Sequence, residues 1–132
     1  MTAKIQISEL LNNGDARGFG FTTPAEALAF VVRIADVHLA STKPGAVRGN
    51  HYHARRRSAI VVLPGSKWSF HWDEGQESAI QSREFDGHRA ILVLIWPDAS
   101  HAVRNDGDGD LYYVSISSEA YDPAGNVPRK VV

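Results

Sequence analysis

Residues 42–53 read Thr42-Lys43-Pro44-Gly45-Ala46-Val47-Arg48-Gly49-Asn50-His51-Tyr52-His53. Lys43-Pro44-Gly45 is a turn signal, since proline presets one backbone dihedral and glycine supplies a positive φ. Beyond it, His51 and His53 flank Tyr52. On an extended strand the side-chain period of two puts both imidazoles on one face, where they can grip one ion. Outward from this stretch, short apolar runs recur at 30–40, 58–63, 68–72, 79–85, 90–96 and 111–117. Between them lie Pro64-Gly65-Ser66, Asp73-Glu74-Gly75, Asp86-Gly87-His88 and Asn105-Asp106-Gly107-Asp108-Gly109, all turn chemistry. Six or more short strands in 132 residues predict an all-β barrel or sandwich.

Only short helices are expected. Thr23-Pro24-Ala25-Glu26 offers an N-cap, a proline at the first helical position and a capping-box glutamate, which predicts a turn or two of helix. Residues 1–13 suit either strand or short helix, and 123–132, with Pro123, Gly125 and Pro128, reads as an irregular tail. The expected organisation is therefore one domain over 1–132, with N-terminal strands or a short helix in 1–29, a barrel over 30–122 and a tail from 123. Fourteen basic and fifteen acidic residues leave a net charge of −1, no field to hold a polyanion, so nucleic acid is not an expected partner. The chain has no cysteine, which excludes disulfides, thiolate metal sites and cysteine nucleophiles. The longest unbroken apolar run, 90–96, falls well short of the ~18 residues that cross a bilayer as a helix, so no membrane is expected. The opening MTAKIQISELLNNG lacks the apolar stretch of a secretory signal, making the cytoplasm the expected compartment.

A third histidine, His101, follows the Pro97-Asp98-Ala99-Ser100 turn and can come from a neighbouring strand of a closed sheet. His51, His53 and His101 would then form a three-nitrogen face for a divalent metal. Zinc comes first, with iron, nickel, copper or manganese as alternatives, and positions are left open for water or substrate.

In this pattern the chain resembles the cupins. Their first motif, G(x5)HxH(x3,4)E(x6)G, is matched by Gly45, His51, His53 and Gly65, and their second, PxG(x2)H(x3)N, by His101 and Asn105. Two positions depart from it. Ser58 stands where the glutamate ligand would be, and Trp96 and Asp98 occupy the proline and glycine positions before the second-motif histidine, with Pro97 between them. Residues 42–53 are also similar to the C-terminal cupin domain of a bifunctional capsular-polysaccharide UDP-sugar enzyme. Arg48-Gly49-Asn50-His51, Asp15-Ala16-Arg17-Gly18-Phe19 and Ala120-Tyr121-Asp122-Pro123 resemble dTDP-sugar epimerases and ketoisomerases. The resemblance implies a double-stranded β-helix, the cupin jelly-roll barrel, with its site in the mouth. It further implies a homodimer and a nucleotide-sugar substrate, with epimerisation or isomerisation next to a sugar ketone.

Such chemistry needs a base for a carbon-bound proton and a group to stabilise the enolate oxygen. Two designs are open. In a metal-free one, His51 is the base and Arg48 holds a phosphate or the sugar. In a metal one, His51, His53 and His101 hold an ion that polarises the ketone, and another residue takes the proton. Tyr113, on a strand face shared with Ser115 and Ser117, is the candidate donor or base in either design. Arg55, Arg56 and Arg57 read as a solvated loop or, with Arg55 foremost, as a pyrophosphate contact. Trp68, Phe70 and Trp72 alternate as a core face does, or make a sugar platform with Trp68 and Trp72 as the contacts. His38 and His71 can line the cavity or serve as hydrogen-bonded structural histidines; His88 is expected exposed. Asp106, Asp108 and Asp110 are spaced like a calcium loop, but Ser117 stands where its closing glutamate belongs, so a hairpin turn is expected. The missing glutamate ligand keeps two further functions open: a three-histidine iron dioxygenase, and a non-catalytic cupin that binds a small ligand.

Overall fold

The computed structural model describes residues 3–132. Ten strands and one short helix follow in the order β1 (Ile5–Glu9), α1 (Ala25–Val31), β2 (Asp36–Thr42), β3 (Val47–His53), β4 (Ser58–Val62), β5 (Trp68–Trp72), β6 (Gln81–Phe85), β7 (Ile91–Ile95), β8 (His101–Asn105), β9 (Leu111–Ser117) and β10 (Asn126–Pro128). They form two five-stranded sheets, ordered β1-β7-β4-β9-β2 and β10-β3-β8-β5-β6. Every strand pair is antiparallel. This is the all-β architecture that the run of short apolar segments and turns predicts, in the jelly-roll arrangement that the cupin resemblance implies.

The core lies between the sheets. Ile60 and Val62 of β4 and Ile91, Val93 and Ile95 of β7 meet Trp68, Phe70 and Trp72 of β5 and Val103 of β8. The intervening residues Ala59, Val61 and Leu92 point to the opposite face, where they pack under Ala27, Phe30 and Val31 of α1. β4 is thus buried on both faces, which explains why it reads as an unbroken apolar run and not as an alternating one. Each fully buried large side chain in this core contributes about 1.5–3 kcal/mol.

Three boundaries differ from the sequence reading. The run at 30–40 is divided: helix α1 ends at Val31 and β2 begins at Asp36, because Phe30 and Val31 belong to the helix face that covers the outer sheet. Thr23 does not cap α1, since Pro24 occupies the N-cap position in an extended conformation and no side-chain cap bond forms. The sheets also extend past 30–122 at both ends. β1 pairs with β7 from Ile5↔Ile95 to Glu9↔Ile91, and the expected irregular tail instead makes a 3-10 turn at Pro123–Gly125 and then β10 against β3. Pro128 is compatible with this strand because β10 lies at the edge of its sheet.

Candidate active site

The Lys43-Pro44-Gly45 turn delivers the chain into β3, whose residues face those of β8 as Arg48↔Val103, Gly49↔Ala102 and His51↔His101. The register shifts between Gly49 and His51, so Asn50, at φ +57°, is the extra residue of a β-bulge. The bulge is decisive. Strict alternation would put Arg48 and His51, three residues apart, on opposite faces; the inserted Asn50 brings Arg48, His51 and His53 to the inner face together. Gly49 lies under this crossing, where a β-carbon would sit 2.5 Å from the His101 carbonyl oxygen.

The three imidazoles that the sequence singles out do converge. Their ring centroids are 4.8 Å apart for His51–His53, 5.0 Å for His51–His101 and 6.0 Å for His53–His101. One ligand nitrogen of each lies within 4.8 Å of the others. His101 is buried and its Nδ1 lies 3.0 Å from the Ala99 carbonyl oxygen, which can only accept; Nδ1 therefore carries the proton and Nε2 presents its lone pair. Burial, then the neighbouring His51, pushes His101 down to about 3, against the bond to Ala99. Burial, His51 and Arg56 push His53 down to about 4, opposed by a hydrogen bond to the Gly125 backbone. Burial and Arg56 also lower His51. Three neutral nitrogens, one with its tautomer fixed from behind, fit a divalent cation, which requires unprotonated imidazoles.

The triad opens into a cavity of about 360 Å³ whose lining includes Arg48, Tyr113, Ser115, His38 and Ser58. Arg48 Nε donates to the Ser41 carbonyl at 2.7 Å. Burial raises the Tyr113 phenol, with Arg48 pulling the other way, so Tyr113 keeps its proton and suits a donor. Ser58, which stands at the motif position of the glutamate ligand, bonds Ser117 Oγ at 3.1 Å. A neighbouring hollow of about 340 Å³, lined by Arg55, Arg56, Asp122 and Gly125, shares His53, Arg56 and Tyr121 with the first. Among the described residues neither Arg48, Arg55 nor Arg56 makes an ion pair with a carboxylate, and the two hollows set these guanidiniums beside Asp36, Glu119 and Asp122.

The sugar-platform role of Trp68 and Trp72 is corrected. Trp68 is fully buried and stacks on Phe85 at 4.3 Å, and Trp72 is 9% exposed in the same inter-sheet core. Their strand face is the inner one, but they lie beneath the cavity and line neither hollow. His71 bonds Ser69 Oγ at 2.8 Å, as a structural histidine does, and His88 is exposed. The aspartates at 106–110 belong to a turn organised by Asn105, which donates to the Thr42 and Gly109 carbonyls, while Asp106 pairs with Arg104. Sequence reading placed Asp73 in a turn, which its bond to the Gly75 N–H bears out, but gave no side-chain role to Asn50 or Arg129 and none to Asp73 beyond that turn; the further partners of these three are 27 to 82 residues away.

The model of the polysaccharide biosynthesis C-terminal domain family matches residues 14–126. The chain belongs to that family. No curated protein matches it by sequence. This polysaccharide biosynthesis domain is similar in fold to ChmJ, a 3′-monoepimerase from Streptomyces bikiniensis solved with dTDP-quinovose. That match has 22% identity and TM-score 0.78, over 96% of this chain and 70% of that one. It is also similar to QdtA, a sugar 3,4-ketoisomerase from Thermoanaerobacterium thermosaccharolyticum solved with TDP, at 15% identity and TM-score 0.70 over 96% and 89%. A third likeness is to the capsular polysaccharide assembling protein CapF from Staphylococcus aureus, at 24% identity and TM-score 0.66; it covers 92% of this chain and 34% of CapF. The cupin jelly roll expected from the histidine motif is therefore the fold of this domain. Among the described residues no helix is long and apolar enough to cross a membrane.

Proposed function

We propose that this domain epimerises or isomerises a nucleotide sugar next to a ketone, in the building of a polysaccharide or deoxysugar. The observation that carries this reading is the bulge in β3, which brings the guanidinium of Arg48 and the neutral triad to one face of one cavity. A ketone oxygen gaining enolate charge needs a positive or Lewis-acidic partner there, and a neutral base or phenol must handle the carbon-bound proton. His51, His53 and His101 would hold a divalent ion, zinc first, which when bound supplies Lewis-acid polarisation of the ketone. With the triad so committed, Tyr113 is the donor and His38, at the rim and stacked on Tyr121 at 5.9 Å, is the imidazole left to take a proton. Without an ion, His51 itself is the base. The hollow with Arg55 and Arg56 would take the diphosphate through those guanidiniums, with Glu119 and Asp122 in the same lining limiting the net charge they offer. β2, an edge strand with Val37 and Leu39 exposed, is the surface on which a second copy would form the homodimer.

The test is solvent exchange. UDP- and dTDP-4-keto sugars incubated in D2O with untagged protein should gain deuterium beside the ketone, and His51→Ala should abolish the gain; no uptake with either substrate class overturns the reading. Metal content by plasma mass spectrometry, with His101→Ala as control, decides between the two designs. Ser58, turned to Ser117, leaves a three-nitrogen set that also suits an iron dioxygenase. Iron in the protein, together with oxygen consumption, would favour that function, while ligand binding without turnover would favour a binding cupin.

A further inference from the structure

The bulge that builds the site has to be held in place, and the residues that hold it come from the far end of the chain. Asn50 Oδ1 accepts from the Val131 and Val132 N–H groups at 2.8 and 3.1 Å, and its Nδ2 donates to the Val132 carbonyl at 3.1 Å. Its own carbonyl accepts from the Arg129 N–H at 2.9 Å. Asn50 therefore spends its side chain entirely on residues 131 and 132, and Val131 is itself buried. Between these bonds and the Gly125 contact of His53, β10 pairs with β3 as Asn126↔His53, Val127↔Tyr52 and Pro128↔His51.

The same segment reaches the third histidine from the other side. Arg129 Nε donates to Asp73 Oδ2 at 3.2 Å, and Asp73, with no exposed surface, accepts from the Gly75 and Ser100 N–H groups through Oδ1 at 2.9 and 3.0 Å. Ser100 immediately precedes His101, and its carbonyl accepts from the Asp73 N–H at 3.0 Å. A buried carboxylate is tolerated only when fully bonded, and here three donors from three separate segments meet on one side chain.

We propose that residues 125–132 are a strap that positions the histidine triad, with Asn50 and Asp73 as its anchors and Arg129 joining them. Asn50 fixes the bulge that aims His51, the β10 ladder backs His51 and His53, and Asp73 sets the entry of the chain into His101. None of the anchors touches a reacting atom; they are positioning residues. The inference rests on the reading of the triad as the working site.

The test separates positioning from general stability. Asn50→Gly keeps the positive φ freely accessible and removes only the side-chain clamp. Arg129→Met cuts the link at its other end, and Leu92→Ala, in the core beneath α1, destabilises without touching the strap. The first readout needs neither metal nor substrate: ring 15N and 1H resonances of the three histidines by NMR. Both strap variants should shift those signals and weaken Co2+ binding, titrated by its visible absorption, by about tenfold or more. Leu92→Ala should leave both unchanged despite an equal or larger fall in melting temperature. Asn50→Asp, which retains the acceptor for Val131 and Val132 but sets a carboxylate oxygen against the Val132 carbonyl that Nδ2 served, should give ring signals between those of native protein and Asn50→Gly. Unchanged rings in Asn50→Gly and Arg129→Met, or an equal shift in Leu92→Ala, would overturn the strap. Native protein that fails to bind Co2+ would sink the metal design alone, and the ring resonances would still decide the strap.

Discussion

Substituting alanine at Gly49 and at Gly45 separates two costs that sequence alone would treat as one. Both glycines have positive φ, +114° and +79°. An alanine at either position meets a conformational penalty of about 1–2 kcal/mol. At Gly45 nothing lies within 4 Å of the added carbon, so that penalty is the whole effect. At Gly49 the added carbon falls 2.5 Å from the His101 oxygen and 2.8 Å from the Ala102 Cα. Ordinary contact begins at 3.4 Å, so β3 and β8 must part by 3.4 − 2.5 = 0.9 Å. Both obstacles are backbone, which cannot rotate away, and overpacking of this kind adds about 1–3 kcal/mol. Urea unfolding should therefore show Gly45→Ala losing about 1–2 kcal/mol and Gly49→Ala about 2–5 kcal/mol. The separation falls at the His51↔His101 pair, so Gly49→Ala should also weaken Co2+ binding while Gly45→Ala does not. Equal destabilisation by the two substitutions, or intact Co2+ affinity in Gly49→Ala, would refute the reasoning.

The depressed histidines set a pH dependence. Between pH 6.5 and about 4 the unfolded chain takes up protons that folded His53 refuses, so metal-free stability is full above pH 6.5 and falls as the pH drops toward 4. His101 extends the loss toward pH 3, and a flat profile in urea titrations with EDTA at pH 7, 6, 5 and 4 would contradict the burial argument. Tyr113→Phe should lower kcat by about 10²–10⁴ with little change in KM or melting temperature, and unchanged kcat would remove Tyr113 as the proton donor. Ser58→Glu offers the triad a fourth ligand in the same cavity; calorimetric titration with Zn2+ should show tighter binding than native, and the metal-free variant should melt lower because its carboxylate is buried unpaired. Leu39→Glu, on the exposed edge strand β2, should convert a dimer to a monomer in light scattering, and a monomeric native chain would rule out that edge as the interface.

The all-β fold was legible because its signals are local. Turn residues fall between short apolar runs, and β4, β5 and β9 stand where the runs at 58–63, 68–72 and 111–117 place them. The triad was legible too, since the His-x-His spacing and the distant His101 match a motif that a jelly roll brings together. Other features escaped for a common physical reason. Trp68 and Trp72 have the chemistry of a sugar platform and the periodicity of a strand, and only the packing of β5 against the opposite sheet commits them to the core. β10 has three residues, one of them proline, so its pairing is set by the edge of β3 and not by propensity. Ser58 shows the limit most plainly: its identity announces a missing carboxylate, but its bond to Ser117 follows from the pairing of β4 with β9.

Sequence by itself thus determined the class of fold, the three nitrogens and the basic residues near them, because periodicity, turn chemistry and residue type are properties of neighbours along the chain. Tertiary structure alone decided that Arg48 and His51 share a face, through one inserted residue at positive φ, and that Asn50 and Asp73 hold the segment beyond Gly125 against the triad. Those bonds join residues 27 to 82 positions apart, a distance at which no local preference acts and only the closing of the two sheets brings donor to acceptor.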